Sequence, residues 1–173
     1  MAPKIVPTTE RLSLVPYAAG FITPQHIGWL NNPDVVFYSE QRHQKHTEAS
    51  QQAYLNSFSE WGYIWLIKAQ DIGDIGTISA YVDMPNKVAD MGILVGEPKS
   101  WNRGYGAEAW KRVMLWLRME HKIRKIECGC MFDNIPMRKI ATKCGMEVEG
   151  GRYQHFLLDG KPVDLLQYGK VYD

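Results

Sequence analysis

The stretch WNRGYGAEAW, Trp101–Trp110, sets two glycines around a tyrosine, with an arginine before them and helix-forming residues after. These types at this spacing suit a phosphate cradle. The first N–H groups of a helix have no intrahelical acceptor, and the aligned peptide dipoles leave partial positive charge there. Glycine lets an anion come close to the backbone, so the amides around Arg103–Ala107, with the Arg103 charge beside them, predict a site for a diphosphate-bearing ligand. Two other readings compete. A tight strand-to-helix turn needs glycine for backbone freedom, but explains one glycine better than two and a cation. A dinucleotide fingerprint fits Gly104, Gly106 and Ala109, with Glu127 further on. Its context is wrong: eight residues separate Val95 from Gly104, and only 69 follow Gly104, too few for the rest of a doubly wound sheet.

Other residues could also do chemistry. Asp90, Gly92 and Leu94 fall on one face if Val88–Val95 is a strand. Asp90 can serve as a base there, or simply pair with Lys87 or cap a turn. In YSEQRHQKHT, His43 and His46 are three apart with Glu40 nearby, but no third ligand is evident, so a metal reading is weak beside a polar loop. Tyr153 and His155 are either acceptor-facing or ordinary half-buried rings.

The elements that would position these groups follow from pattern and punctuation. RLSLVP, Arg11–Pro16, alternates and stops at proline, as a strand does. Thr23 caps a helix with Pro24 at its first position, ending near Pro33; Thr47 caps a second, with Ala53, Tyr54, Phe58 and Trp61 on one face. Three strands follow, Tyr63–Ala69, Ile75–Val82 and Val88–Val95, separated by DIGD and DMPN turns. A helix over Gly104–His121 carries the stripe Trp110, Val113, Met114 and Leu117. Lys125–Met131 is a strand, and Asn134, Pro136 and Gly145 bracket a short helix. Strands Glu147–Leu158 and Pro162–Val171 join through LDGK, a hairpin turn. The order β-α-α-β-β-β-α-β-α-β-β predicts an α/β (α+β) fold, with helices packed on a mixed, mostly antiparallel sheet.

Length and composition bound the rest. The 173 residues predict one domain, 1–173, with 45% hydrophobic residues to build a core. A net charge of +1 gives no field that would draw nucleic acid or an acidic membrane. Three cysteines, two of them spaced C-x-C, suggest neither a disulfide framework nor zinc, and fit reduced thiols in a cytoplasmic protein. MAPKIVPTTERL lacks the apolar stretch of a signal peptide, and no window approaches the roughly 20 apolar residues of a membrane span.

WNRGYGAEA resembles the acyl-CoA pyrophosphate loop of the GNAT acetyltransferases, R/Q-x-x-G-x-G/A. The likeness extends over essentially the whole chain. RLSLVP is similar to the opening strand of the RimJ/RimL-like branch, ADMGILV to its a-E-i-G-y-v-l strand, and the segment from Asn134 through Gly145, Glu149–Gly150 and Tyr168–Gly169 to its ending. The resemblance implies a GNAT-like fold and an N-acetyltransferase. Acetyl-CoA would be the cosubstrate, and a small-molecule or peptide amine the acceptor. It implies phosphates on the amides of Asn102, Arg103, Gly104, Tyr105, Gly106 and Ala107. Pantetheine would lie along Ile93, Leu94 and Val95, within reach of Asn134, for which a plain helix-cap role is the alternative. A backbone N–H of Leu94 or Val95 would steady the developing oxyanion, and Asp90 would take the proton of the amine. The loop over Tyr38–Thr47 would line the acceptor pocket. Three positions depart from the pattern: Trp101 stands where the loop has Gln or Arg, and Met137 and Ala141 stand where relatives keep a proton donor. A thiol with pKa about 8.5 leaves without such a donor. Many relatives pair, which leaves a homodimer open. A non-catalytic acyl-CoA sensor or scaffold is the alternative function, since fold does not fix function.

Overall fold

The computed structural model describes residue 6, residues 8–58 and residues 60–173. Residues 1–5 and 7 of the N-terminal stretch and Ser59, inside the second expected helix, lie outside it. The chain runs β1 (Leu12–Pro16), α1 (Pro24–Leu30), α2 (Pro33–Val36), α3 (Glu48–Asn56), β2 (Gly62–Ala69), β3 (Gly73–Asp83), β4 (Val88–Val95), α4 (Tyr105–His121), β5 (Lys125–Met131), α5 (Ile135–Lys143), β6 (Glu147–Leu158) and β7 (Lys161–Val171). All seven strands form one sheet in the order β1-β2-β3-β4-β5-β7-β6. Every neighbouring pair is antiparallel except β4–β5. This is the expected mixed sheet.

One face of the sheet is sealed by α4 and α5. The α4 stripe Trp110, Val113, Met114 and Leu117 is buried against Trp65, Ile67 and Ile78 from the sheet and Ala141 from α5. Strand alternation turns Ile64 of β2, Ser79 of β3 and Gly92 of β4 to the opposite face, which α1 and α3 cover. The hairpin between β6 and β7 closes with Asp159 and Gly160 both left-handed, at φ 49° and 75°, the backbone an Asp-Gly turn requires.

Two expectations change. Asn32 and Pro33 do not merely end the first helix: the Asn32 side chain accepts from Asp34 N and starts α2. The second expected helix stops at Asn56, with Ala53 exposed. Phe58 leaves the helix to stack on Tyr81, with ring centroids 5.0 Å apart, and Trp61 packs onto the core beside β2. Aromatics spaced like a helix stripe were therefore drawn out by two different partners. No helix among the described residues is long and apolar enough to cross a membrane.

Candidate functional site

The turn into α4 is made of backbone. Glu97 accepts from Lys99 N and begins a short 3-10 turn, Pro98–Ser100. Asn102 (φ 60°) and Gly104 (φ 84°) then both adopt left-handed backbone. Gly104 is the N-cap of α4 and supplies no side-chain cap, and the first helical bond is Glu108 N–H to Gly104 O at 3.1 Å. The N–H groups of Tyr105, Gly106 and Ala107 therefore head a 17-residue helix without a capping side chain. That is a ready anion site.

The side chains of this turn are occupied elsewhere. Arg103, expected to add charge toward phosphate, pairs with Asp71 Oδ2 at 2.6 Å, and Tyr105 donates to Asp71 Oδ1 at 2.7 Å. The Tyr105 hydroxyl first, then Arg103, hold the Asp71 carboxyl below its ordinary range. Arg11 ties the turn from the other side, donating to Arg103 O at 3.2 Å, pairing with Glu108 and lying over the Tyr105 ring at 4.5 Å. Gly106 packs closely on α5: a Cβ there would meet the end of the Ile140 side chain, Cδ1, at 2.9 Å.

Beside this turn the sheet opens. β4 and β5 pair only at Val88–Lys125, Ala89–Ile126 and Asp90–Glu127. Beyond them β4 stays with β3 while β5 runs with β7. Gly96 N–H donates to Ile75 O at 2.8 Å, and the register matches Gly76 with Val95 and Thr77 with Leu94. N–H directions alternate along an antiparallel ladder, so Leu94 turns its N–H to β3, and Ile93 and Val95 turn theirs into the opening. Leu94, expected beside Val95 as an oxyanion donor, thus has its N–H on the β3 side, and its residue lines the cavity described below. The Trp101 indole, at the departing loop position, donates to Val95 O at 2.9 Å and ties the loop to the strand end. Asn134 caps α5, its side chain accepting from Met137 N at 3.1 Å. Orphaned helix amides next to a split between parallel strands fit a ligand that pairs a diphosphate with an extended amide-bearing arm, as coenzyme A does.

On the other face of β4 lies a cavity of about 300 Å³ reaching Gly92 and Leu94. Its walls come from four separate stretches: Tyr17, Trp29 on α1, the loop before α3, and Gln51 and Tyr54 on α3, closed by Ser79 of β3. Trp29 packs on Gly96, where a Cβ would collide with the indole. His46 fixes the loop: its Nε2 meets Gln41 O at 3.0 Å, its Nδ1 meets Gln51 Nε2 at 3.1 Å, and its backbone exchanges two bonds with the Asn31 side chain. His43 stands apart, exposed, 3.4 Å from Glu40. Tyr153 and His155 are exposed on β6. The cavity walls carry no spacing signal; only the polar loop was foreseeable.

Asp90 follows Gly92 on the same face, opposite Tyr81, whose hydroxyl is 3.1 Å from that of Tyr54. No side chain stands between Asp90 and Leu94 along that face, because the residue there is glycine. Asp90 keeps substantial surface exposure, yet protein crowds its carboxyl. That desolvation first, and the Glu127 charge second, push its pKa up to about 6. Burial also pushes the Cys128 thiol up to about 12 and Cys130 up to about 11.

Residues 11–147 match the family described as the acetyltransferase (GNAT) domain. The chain is 36% identical over 89 residues to the L-amino acid N-acetyltransferase AaaT of Escherichia coli (strain K12). That match takes in 49% of this chain and 51% of the relative, so the chain spans about half the length of the curated relative it matches. The RimL ribosomal L7/L12 alpha-N-protein acetyltransferase, in complex with coenzyme A, superposes with a TM-score of 0.86 over 98% of both chains at 18% identity. The spermidine N-acetyltransferase of Vibrio cholerae, in complex with CoA and spermine, gives a TM-score of 0.80 over 94% of this chain and 96% of that one at 15% identity. At such identities the two structures show a shared fold.

Proposed function

The chain belongs to the GNAT acetyltransferase family, and from that premise we propose that it carries an acetyl group from acetyl-CoA to a primary amine by direct attack, with both substrates bound at once. The observation that carries this is the split between β4 and β5 beside the uncapped start of α4. Acetyl-CoA supplies a thioester whose carbonyl an amine attacks and whose thiolate leaves.

The amides from Asn102 to Ala107 hold the diphosphate, Gly104 keeping the approach open. Ile93 offers its backbone groups to the pantetheine arm along the edge of β4, with Asn134 at its far side; Trp101 holds the Val95 carbonyl, which leaves the Val95 N–H facing the arm. The Val95 N–H steadies the oxyanion; a preorganised donor of this kind typically contributes about 3 kcal/mol to barrier lowering. Asp90 accepts the proton of the amine, across Gly92 and through a water where the shorter Asp falls short. Its raised pKa supports this role, since a base near neutrality is best matched to the task. The buried, high-pKa thiols disfavour an acetyl-cysteine intermediate and so support direct transfer. Met137 and Ala141 supply no acid, and the thiolate departs unaided.

Calorimetry with coenzyme A, followed by release of its thiol from acetyl-CoA in the presence of an amine panel, tests the reading. Binding with amine-dependent release is expected. Binding with no release on any amine would instead leave an acyl-CoA sensor.

A further inference from the structure

Among the described residues, the cavity over Gly92 has no Asp, Glu, Lys or Arg in its walls. Among the described residues it is lined by hydroxyls, carboxamides, aromatic rings and aliphatic groups, with His26 and His46 as the titratable imidazoles. His26 is 3% exposed, and burial lowers its pKa, so it is neutral near pH 7. Its Nε2 lies 3.6 Å from Asp74 Oδ2, behind the wall, and that carboxylate would oppose a second one. His46 has both ring nitrogens engaged, Nε2 with Gln41 O and Nδ1 with the Gln51 amide. The charged residues of the neighbouring loop are turned away or held. Arg42 donates to Ser39 O, to Leu157 O and to Glu40. His43 and Lys45 are exposed outside the lining. Lys68 pairs with Asp74 behind His26, at 3.2 Å. Asp90 lies beyond Gly92, outside the lining, with Glu127 opposite it on β5.

A charge in such a pocket would be left without a partner, which costs more than any neutral group there. A free amino acid brings a carboxylate that needs an Arg or Lys. A polyamine brings further ammonium groups that need Asp or Glu. The cavity offers neither. It is lined by the carboxamides of Gln41, Gln44 and Gln51, the Ser79 hydroxyl, and the rings of Trp29 and Tyr54. We propose that the acceptor is an amine whose body carries no second charge and is rich in neutral hydrogen-bonding groups, such as an amino sugar or an amino-acid amide. This rests on the acetyl-transfer reading and narrows it to a substrate class.

The test is a matched set of acceptors at saturating acetyl-CoA: L-serinamide, L-serine, glucosamine and spermidine, with kcat/KM compared per unprotonated amine. Serinamide and serine differ at one group, so their ratio isolates the carboxylate. Serinamide or glucosamine is expected to lead, with serine and spermidine at least about 100-fold lower. The exposed rim residue Gln44 provides a second arm: Gln44→Glu should move the spermidine-to-serinamide ratio upward by several-fold. Serine or spermidine leading, turnover of none of the four by CoA-binding protein, or a ratio unmoved by Gln44→Glu would each overturn the inference. Each of these leaves the acetyl-CoA site standing. Absence of heat from coenzyme A alone would remove the site, and the acetyl-transfer reading with it.

Discussion

β4 has two working sides, built from different materials. Toward β5 and the start of α4, the site is backbone: amides headed by Gly104, and N–H groups of Ile93 and Val95 left unpaired by a diverging strand. Toward α1 and α3, it is side chains: Trp29, Gln51, Tyr54 and Ser79 around a cavity, with Asp90 beyond Gly92. A ligand held by backbone is tolerant of side-chain change and depends on φ and ψ. A ligand held by side chains can be re-specified one residue at a time. One scaffold can thus keep one cosubstrate and vary its acceptor.

The largest effect should come from the side-chain side. Asp90→Asn is expected to lower kcat about 100-fold or more, the usual scale for losing a general base. The wild-type rate should rise with pH through about 6, as Asp90 ionises, and the variant should lose that limb. Stability runs the other way. A folded pKa above the ordinary 3.8 means the native state favours the protonated carboxyl, so its ionisation is a cost that grows as pH rises from 3.8 and levels off above about 6. The variant should therefore melt higher at pH 7.5, and the gain should fade as pH falls toward 3.8. A pH–rate profile unchanged in shape would remove Asp90 as the base and leave the cavity without a catalytic group.

The same contrast explains what could be read in advance. Local devices were legible because their signal is short: the Thr47 cap of α3, the Asn134 cap of α5, the Asp159–Gly160 turn, and the paired glycines at the start of α4. The α4 stripe was legible because its period matches the helix. The cavity over Gly92 was not, since Tyr17, Trp29, Gln51 and Ser79 come from elements with no common spacing and meet only once the sheet forms. Side-chain ties across the chain were hidden too: Arg103 and Asp71 are 32 residues apart, and Arg11 and Glu108 97 apart. Leu94 could be placed on its face by counting, but the direction of its N–H depends on where the β3–β4 ladder begins, which no residue type announces.

An intermediate effect is expected from disturbing backbone on the other side. Gly104 sits at φ 84°, a conformation that a β-branched residue adopts only with strain. Gly104→Val should weaken coenzyme A binding by about 30-fold in calorimetry, by bending the amides out of line. Once acetyl-CoA is raised to saturation, kcat should recover to within a few-fold. A full loss of kcat at saturation would mean the turn also shapes the acceptor side, and the two sides would no longer be separable.

The smallest effect should come from removing a charge at the same turn. Arg103 is the loop's formal cation, and a charge-based account of phosphate binding would rank it first. Its guanidinium instead meets the Asp71 carboxylate, which Tyr105 also holds, and both members of the pair are about half exposed. An exposed pair of this kind contributes little to stability, and its field toward a third group is largely cancelled and screened by salt. Arg103→Ala should therefore leave the Kd for coenzyme A within about threefold of wild type at 0.15 M salt, with a similarly small change in melting temperature. Asp71→Asn is the reciprocal measurement: releasing Arg103 from its partner should tighten coenzyme A binding, most visibly at low salt. If Arg103→Ala instead cost as much as Gly104→Val, the guanidinium would have to leave Asp71 when the diphosphate arrives, and the division of β4 into a backbone side and a side-chain side would fail at its best-defined turn.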